Sequence, residues 1–145
     1  MKMRKCQLDI EKSQEVYDYF KDIIEIKKCY NNVFSVFELS PKHFREGKWK
    51  VAYGYAEVMA GLYLRHCFIL DEHGAVIDPT AFAKADPQLQ REHREYYVMA
   101  VFDDVDEYLT AIEENDYMPS LERYLFVQDV KAHHWAKEKG IVFVK

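Results

Sequence analysis

The apolar positions change period three times along the chain, and each change predicts a different element. Between Glu11 and Lys27, Val16, Phe20, Ile23 and Ile24 recur at three- and four-residue spacing, which predicts a helix with Asp9 as its N-cap. A second helix is expected from Cys29 or Tyr30 to about Glu38, with Val33, Phe34 and Phe37 on one side and Ser40-Pro41 as its end. From Lys48 to Val58 the period drops to two. Trp49, Val51, Tyr53 and Tyr55 alternate with Lys50, Ala52 and Gly54, as in a half-buried strand.

Leu62–Leu70 is more uniformly apolar, as a central strand would be. Asp71-Glu72-His73-Gly74 is a turn signal, and Ala75–Asp78 returns as a short strand. Tyr96–Phe102 is a further strand. Asp103–Glu114 and Ser120–Lys139 read as helices, the second capped by Ser120 after Pro119 and stopped by Gly140. Ile141–Val144 adds an edge strand. The polar stretch Lys84–Arg94, with Pro87 inside it, reads as a loop or short surface helix. Helices, then antiparallel strands, then helices indicate an α+β fold.

At 145 residues the chain has room for one domain, 1–145, with a single ordinary core. Eleven Tyr and nine Phe supply large buried surfaces that fill such a core despite few Gly and Pro. A net charge of −5 argues against a nucleic-acid or anionic-membrane binder. No apolar run reaches the roughly 18–20 residues of a membrane span, and the N-terminal stretch lacks a signal-peptide core, so a cytoplasmic protein is expected. Three sparse cysteines, Cys6, Cys29 and Cys67, make a poor disulfide framework.

Three residues could carry chemistry together. Cys29 sits at a predicted helix start, where unpaired amides and the preceding Lys27 and Lys28 favour thiolate. His66 lies in a central strand, from which an imidazole can act as base toward a thiol. Asp78 ends the next strand, and a carboxylate on the second ring nitrogen would fix the tautomer. Hairpin arithmetic supports the pairing. If Glu72-His73-Gly74 is the loop, with Gly74 left-handed, Asp71 faces Ala75 and Phe68 faces Asp78. His66 and Asp78 then become diagonal neighbours on one face, roughly 7–8 Å apart at the backbone. A two-residue loop would put Asp78 on the wrong face.

The runs CYNNVF, GYAEV and HCFILDEHGAVIDPT resemble small phage and bacterial proteins related to the papain-like and transglutaminase-like cysteine enzymes. The matching positions are Cys29 with Asn32, Gly54-Tyr55-Ala56, His66 with Phe68, and Val76-Ile77-Asp78-Pro79-Thr80. They span residues 29–80, about a third of the chain. The resemblance implies a papain-like fold, with N-terminal helices packed on a small antiparallel sheet and further helices after it. It also implies a Cys29 nucleophile, a His66 base and an orienting Asp78, with Asn32 and Tyr55 as site support. The sequence departs from the papain-like pattern in having no Gln shortly before Cys29 to complete an oxyanion hole. Lys27, Lys28, Asn31 and Asn32 are the substitutes at hand.

Each of these residues also has a plainer reading. Cys29 can be a buried thiol between helices, His66 a satisfied core histidine, and Asp78-Pro79 a strand-ending turn. Zinc is a weaker alternative through His66, Cys67, His73 and Cys29, because His66 and Cys67 point to opposite sheet faces. No cofactor or metal is expected. The functional expectation is a small cysteine hydrolase or acyl transferase acting on an amide, ester or thioester of a small molecule or protein. The alternative is a catalytically inert, phage-type interaction module that sequesters a ligand or blocks a host protein.

Overall fold

The two-residue alternation becomes the two longest strands, β2 (Trp49–Met59) and β3 (Leu62–Asp71), paired antiparallel with Gly54 opposite His66 and Tyr53 opposite Cys67. The structure, a computed structural model, describes residues 1–83 and 94–144. Before β2 come β1 (Arg4–Gln7), α1 (Ile10–Phe20), α2 (Cys29–Leu39) and α3 (Lys42–Arg45). After β3 come β4 (Val76–Ile77), a 3₁₀ turn (Pro79–Ala83), β5 (Glu95–Phe102), α4 (Val105–Glu114), α5 (Phe126–Lys139) and β6 (Val142–Val144). The expected stretch Lys84–Arg94 falls outside the described residues except for Arg94.

Among the described residues the strands form one mixed sheet in the order β1-β5-β2-β3-β4, with β6 beside β3. The ladders are antiparallel except β3–β6, which is parallel and so departs from the all-antiparallel expectation. Leu8 bridges Val76, and the Asp9 N–H donates to the Val76 carbonyl at 2.8 Å, so the two ends of the sheet curl together. Inside the curl lie Cys6, Ala52, Phe68, Val76, Phe82 and Tyr96. The opposite face carries Val51, Tyr53, Cys67 and Ile69 against α2 and α4, and Tyr55, Tyr63 and Tyr97 against α5 and Phe143. No described helix is long and apolar enough to cross a membrane.

The helix expected over 11–27 ends at Phe20. Both Ile23 and Ile24 N–H groups turn back to the Phe20 carbonyl, so Ile24 joins the core from a turn while Ile23 stays exposed. Lys27 takes φ +62°, which no continuing helix permits. The helix expected from Ser120 begins six residues later, at Phe126. There the Asn115 carboxamide accepts from Arg123 and Tyr124 N–H, and Leu121 takes φ +51°, so residues 119–125 form turns. Gly140, at φ +71°, ends α5 as expected. The short β1 was not anticipated, because only Cys6 and Leu8 mark its buried side among charged neighbours.

Candidate active site

The edge of β3 that faces away from β2 is covered unevenly. Beside it, β6 pairs with Leu62–Leu64 and β4 with Ile69–Leu70, leaving residues 65–68 without a neighbouring strand among those described. The start of α2 packs into this gap, tied by Asn32 to the turn that follows β4.

That start is built by one side chain. Asn32, 2% exposed, accepts from Glu25 N–H at 3.0 Å and donates to the Glu25 carbonyl at 2.7 Å and to Thr80 Oγ1 at 3.0 Å. Its amide hydrogens are both engaged, so it anchors the loop before Cys29 and is not free to serve as an oxyanion donor. Lys28 occupies the N-cap position with no side-chain cap, and its ammonium pairs with Glu25 at 3.6 Å. Cys29 opens α2 as a free, buried thiol, 7% exposed.

His66 faces the inside of the curl, with Phe68 and Tyr96 each 6.2 Å from its ring centroid. Gly74 has φ +81° and Asp71 N–H donates to Ala75 O, the three-residue loop that the register argument requires. Ile69 therefore faces Ile77, and the chain delivers Asp78 to His66. The His66 Nε2–H donates to Asp78 Oδ2 at 2.8 Å, and the Cys29 side chain lies near enough to act electrostatically on the ring.

Burial opposes a charge on His66, but Asp78 first and Cys29 second outweigh it and push the ring up to about 10. Burial likewise favours a neutral Asp78, which is fully enclosed. The opposing pull of His66, with smaller help from Arg94 and Tyr96, brings its carboxyl down to about 2. The result is an imidazolium–carboxylate pair that is charged across the ordinary pH range, with the Cys29 side chain near the imidazolium.

Residues that the sequence reading missed complete the surroundings. Tyr96 Oη donates to Asp78 Oδ2 at 2.6 Å, and Arg94 Nη1 lies 3.7 Å from the same oxygen. Asp78 N–H donates to the buried Ser13 Oγ at 2.9 Å. A second network lies on the opposite sheet face. Arg65 Nε donates to both Asp129 oxygens, at 2.9 and 3.0 Å, while its Nη1 donates to Tyr30 Oη at 3.0 Å and to the Ser120 carbonyl at 2.6 Å. The Arg65 guanidinium also lies over the rings of Tyr30 and Tyr53. Nothing local in the sequence marks these partners, since they lie 16 to 65 residues from the groups they touch.

Tyr55 is placed apart from His66. Its hydroxyl donates to Asp129 at 2.6 Å and its ring stacks on Phe143, so it belongs to the Arg65 network. Asn31 is exposed. The zinc alternative finds no support: the His73 side chain is 84% exposed in its turn, and among the described residues no three His, Cys, Asp or Glu side chains are arranged so that they could hold a metal ion.

The structure thus pairs His66 with Asp78 and sets the Cys29 side chain near the His66 ring, while Asn32 anchors the loop before Cys29 and Tyr55 lies in the Arg65 network. Comparison of the chain with protein-family models, curated proteins and solved structures finds no match, so the reading of this site rests on its own geometry.

Proposed function

We propose that the protein is a small papain-like cysteine hydrolase or acyl transferase in which Cys29 attacks an amide, ester or thioester carbonyl of a small-molecule or protein substrate. The observation that carries this reading is the 2.8 Å contact of His66 Nε2 with a fully buried Asp78, on a ring that also feels the side chain of Cys29, which opens an eleven-residue helix. With Nε2 committed to Asp78, Nδ1 is the nitrogen that exchanges a proton with sulfur.

The Cys29 sulfur adds to the carbonyl carbon, and the proton it gives up is held on His66. The oxyanion that forms faces the first turn of α2, whose amides have no side-chain cap and carry the positive end of the helix dipole. As the tetrahedral species collapses, the carbon–heteroatom bond breaks and the leaving group takes the proton from His66. Water or an amine then attacks the acyl-enzyme, gives its proton to His66 and releases Cys29. Asp78 keeps the ring oriented and stabilises its charged form throughout.

A second reading has one observation in its favour. Cys29 is only 7% exposed, as a structural thiol would be, and the protein would then be a catalytically inert interaction module. Reaction with p-nitrophenyl acetate separates the two. The first reading expects a burst of p-nitrophenolate approaching one equivalent, lost in Cys29→Ala, strongly slowed in His66→Gln, and retained in Cys6→Ala and Cys67→Ala. A burst that survives Cys29→Ala, or no burst in the unaltered protein, supports the inert module.

A further inference from the structure

We infer that Tyr96 and Arg94 are positioning residues of this site, which hold Asp78 in one rotamer and in its ionised form so that a single oxygen receives the His66 proton. The Asp78 carboxylate is completely enclosed, and its interactions are one-sided. Oδ2 accepts from His66 at 2.8 Å and from Tyr96 at 2.6 Å and has Arg94 Nη1 at 3.7 Å, whereas Oδ1 has no hydrogen-bond partner among the described residues. A carboxylate held through one oxygen can swing about its Cβ–Cγ bond unless another donor fixes that oxygen. Tyr96 is that donor, because its rigid ring is fully buried and packs edge-on against Phe68 at 5.0 Å.

Arg94 supplies charge balance. It is 4% exposed, its Nε donates to the Glu57 carbonyl at 2.9 Å, and its guanidinium lies over the Tyr96 ring at 5.6 Å. An enclosed carboxylate shared by a histidine and an arginine stays ionised whichever way the histidine proton moves. Among the described residues, the groups facing Asp78 are His66 from β3, Tyr96 from β5, Arg94 just before β5 and the Ser13 hydroxyl from α1, with the Cys67 thiol more distant.

The inference deepens the proposed reading, yet its first readout is independent of catalysis. In the full chain carrying ¹³C-labelled aspartate and ¹⁵N-labelled histidine, the Asp78 carboxyl and the His66 ring are titrated by NMR in the unaltered protein and in Tyr96→Phe, which keeps the ring and removes the donor. Loss of a hydrogen bond to a charged group should raise the Asp78 midpoint by about one pH unit. The His66 Nε2 proton signal should broaden as its acceptor becomes mobile. Alkylation of Cys29 by iodoacetamide should slow about 3- to 30-fold, with its acid limb moved to higher pH, for a lost positioning contact of that size. Arg94→Met should raise the Asp78 midpoint in the same direction.

Superimposable Asp78 titrations in the unaltered protein and in folded Tyr96→Phe and Arg94→Met overturn the inference. So does a shifted midpoint with an unchanged His66 signal and an unchanged alkylation profile. If Cys29 in the unaltered protein alkylates no faster than Cys6 and Cys67, the proposed function fails instead, and the two titrations still decide the role of Tyr96 and Arg94.

Discussion

At position 78 one carboxylate oxygen does the orienting, and an amide there tests it. Asp78→Asn keeps the shape but can present a donor where His66 needs an acceptor, favouring the wrong tautomer; in a serine triad that change costs about 10⁴ in kcat. In a cysteine enzyme the ion pair is partly formed before substrate arrives, so a loss of about 10- to 1000-fold in Cys29 alkylation rate is expected, with the fold retained. Circular dichroism alongside the alkylation rate checks both halves. Gly54 offers a second test, of packing. A Cβ there would lie 1.9 Å from the Tyr97 carbonyl oxygen, where β2 and β5 shift register, so Gly54→Ala forces the backbones apart. It should destabilise the protein by about 3 kcal/mol or more, at the severe end for a point substitution, as measured by urea unfolding. Gly74 differs, because nothing lies within 4 Å of its added Cβ and only the φ of +81° resists a side chain. Gly74→Val should therefore cost about 1–2 kcal/mol of backbone strain.

Two elements, α2 and β3, carry the cysteine and the histidine, and polar side chains fix their separation. Asn32 stands one helical turn from Cys29 and ties α2 to the loop before it and the turn after β4. Asn32→Leu would strand two backbone groups of Glu25 and the Thr80 hydroxyl. A loss of about 2–4 kcal/mol is expected from orphaning those groups, together with slower Cys29 alkylation. Thermal unfolding and labelling, read together, would contradict this if both stayed at wild-type values. On the other face Tyr30 follows Cys29, Arg65 precedes His66, and the two meet at 3.0 Å.

The sequence showed these two elements well and their neighbours less well. α2 runs Cys29–Leu39, close to the expected span from Cys29 or Tyr30 to about Glu38, and the hairpin register follows from Gly74 alone. The end of α1 was not legible, because Ile23 and Ile24 continue the helical spacing while Asn32, seven residues beyond Glu25, pulls that loop out of the helix. The start of α5 was masked in the same way by Asn115, whose carboxamide organises turns eight and nine residues downstream. Both misses share one cause: a side-chain amide satisfies backbone groups that a longer helix would have satisfied itself.

For the whole molecule, the enclosed His66–Asp78 pair sets a pH window of stability. Asp78 has its carboxyl lowered from 3.8 to about 2, so its contribution is present above about 4 and is lost as pH falls through about 2. His66 has its ring raised from 6.5 to about 10, so its contribution is complete below about 6.5 and is lost as pH rises through about 10. The melting temperature should be highest between about pH 4 and 6.5 and should decline toward pH 10, with His66→Gln flattening the alkaline decline. A decline of the same depth in His66→Gln would assign it to other groups.

The curl of the sheet, which closes Leu8 onto Val76, was not legible at all. β1 is four residues long and its partner β5 lies some ninety residues away, so no local pattern announces the closure. Yet the closure brings Ser13 and Tyr96 onto Asp78, so that part of the site depends on contacts that only the folded chain reveals.

The most direct measurement is competitive alkylation of the three cysteines, with limiting iodoacetamide, from pH 4 to 9 and site-resolved mass spectrometry. Cys6 and Cys29 are each 7% exposed and Cys67 is fully buried, so accessibility alone predicts similar, slow labelling of Cys6 and Cys29 and slower labelling of Cys67. A cysteine paired with the His66 imidazolium should react at least about tenfold faster than Cys6 or Cys67 at pH 5–6, with the advantage abolished in His66→Gln, because only a thiolate reacts there. Equal labelling of all three, or a Cys29 advantage that persists without His66, would contradict the assignment of Cys29 and His66 as nucleophile and base.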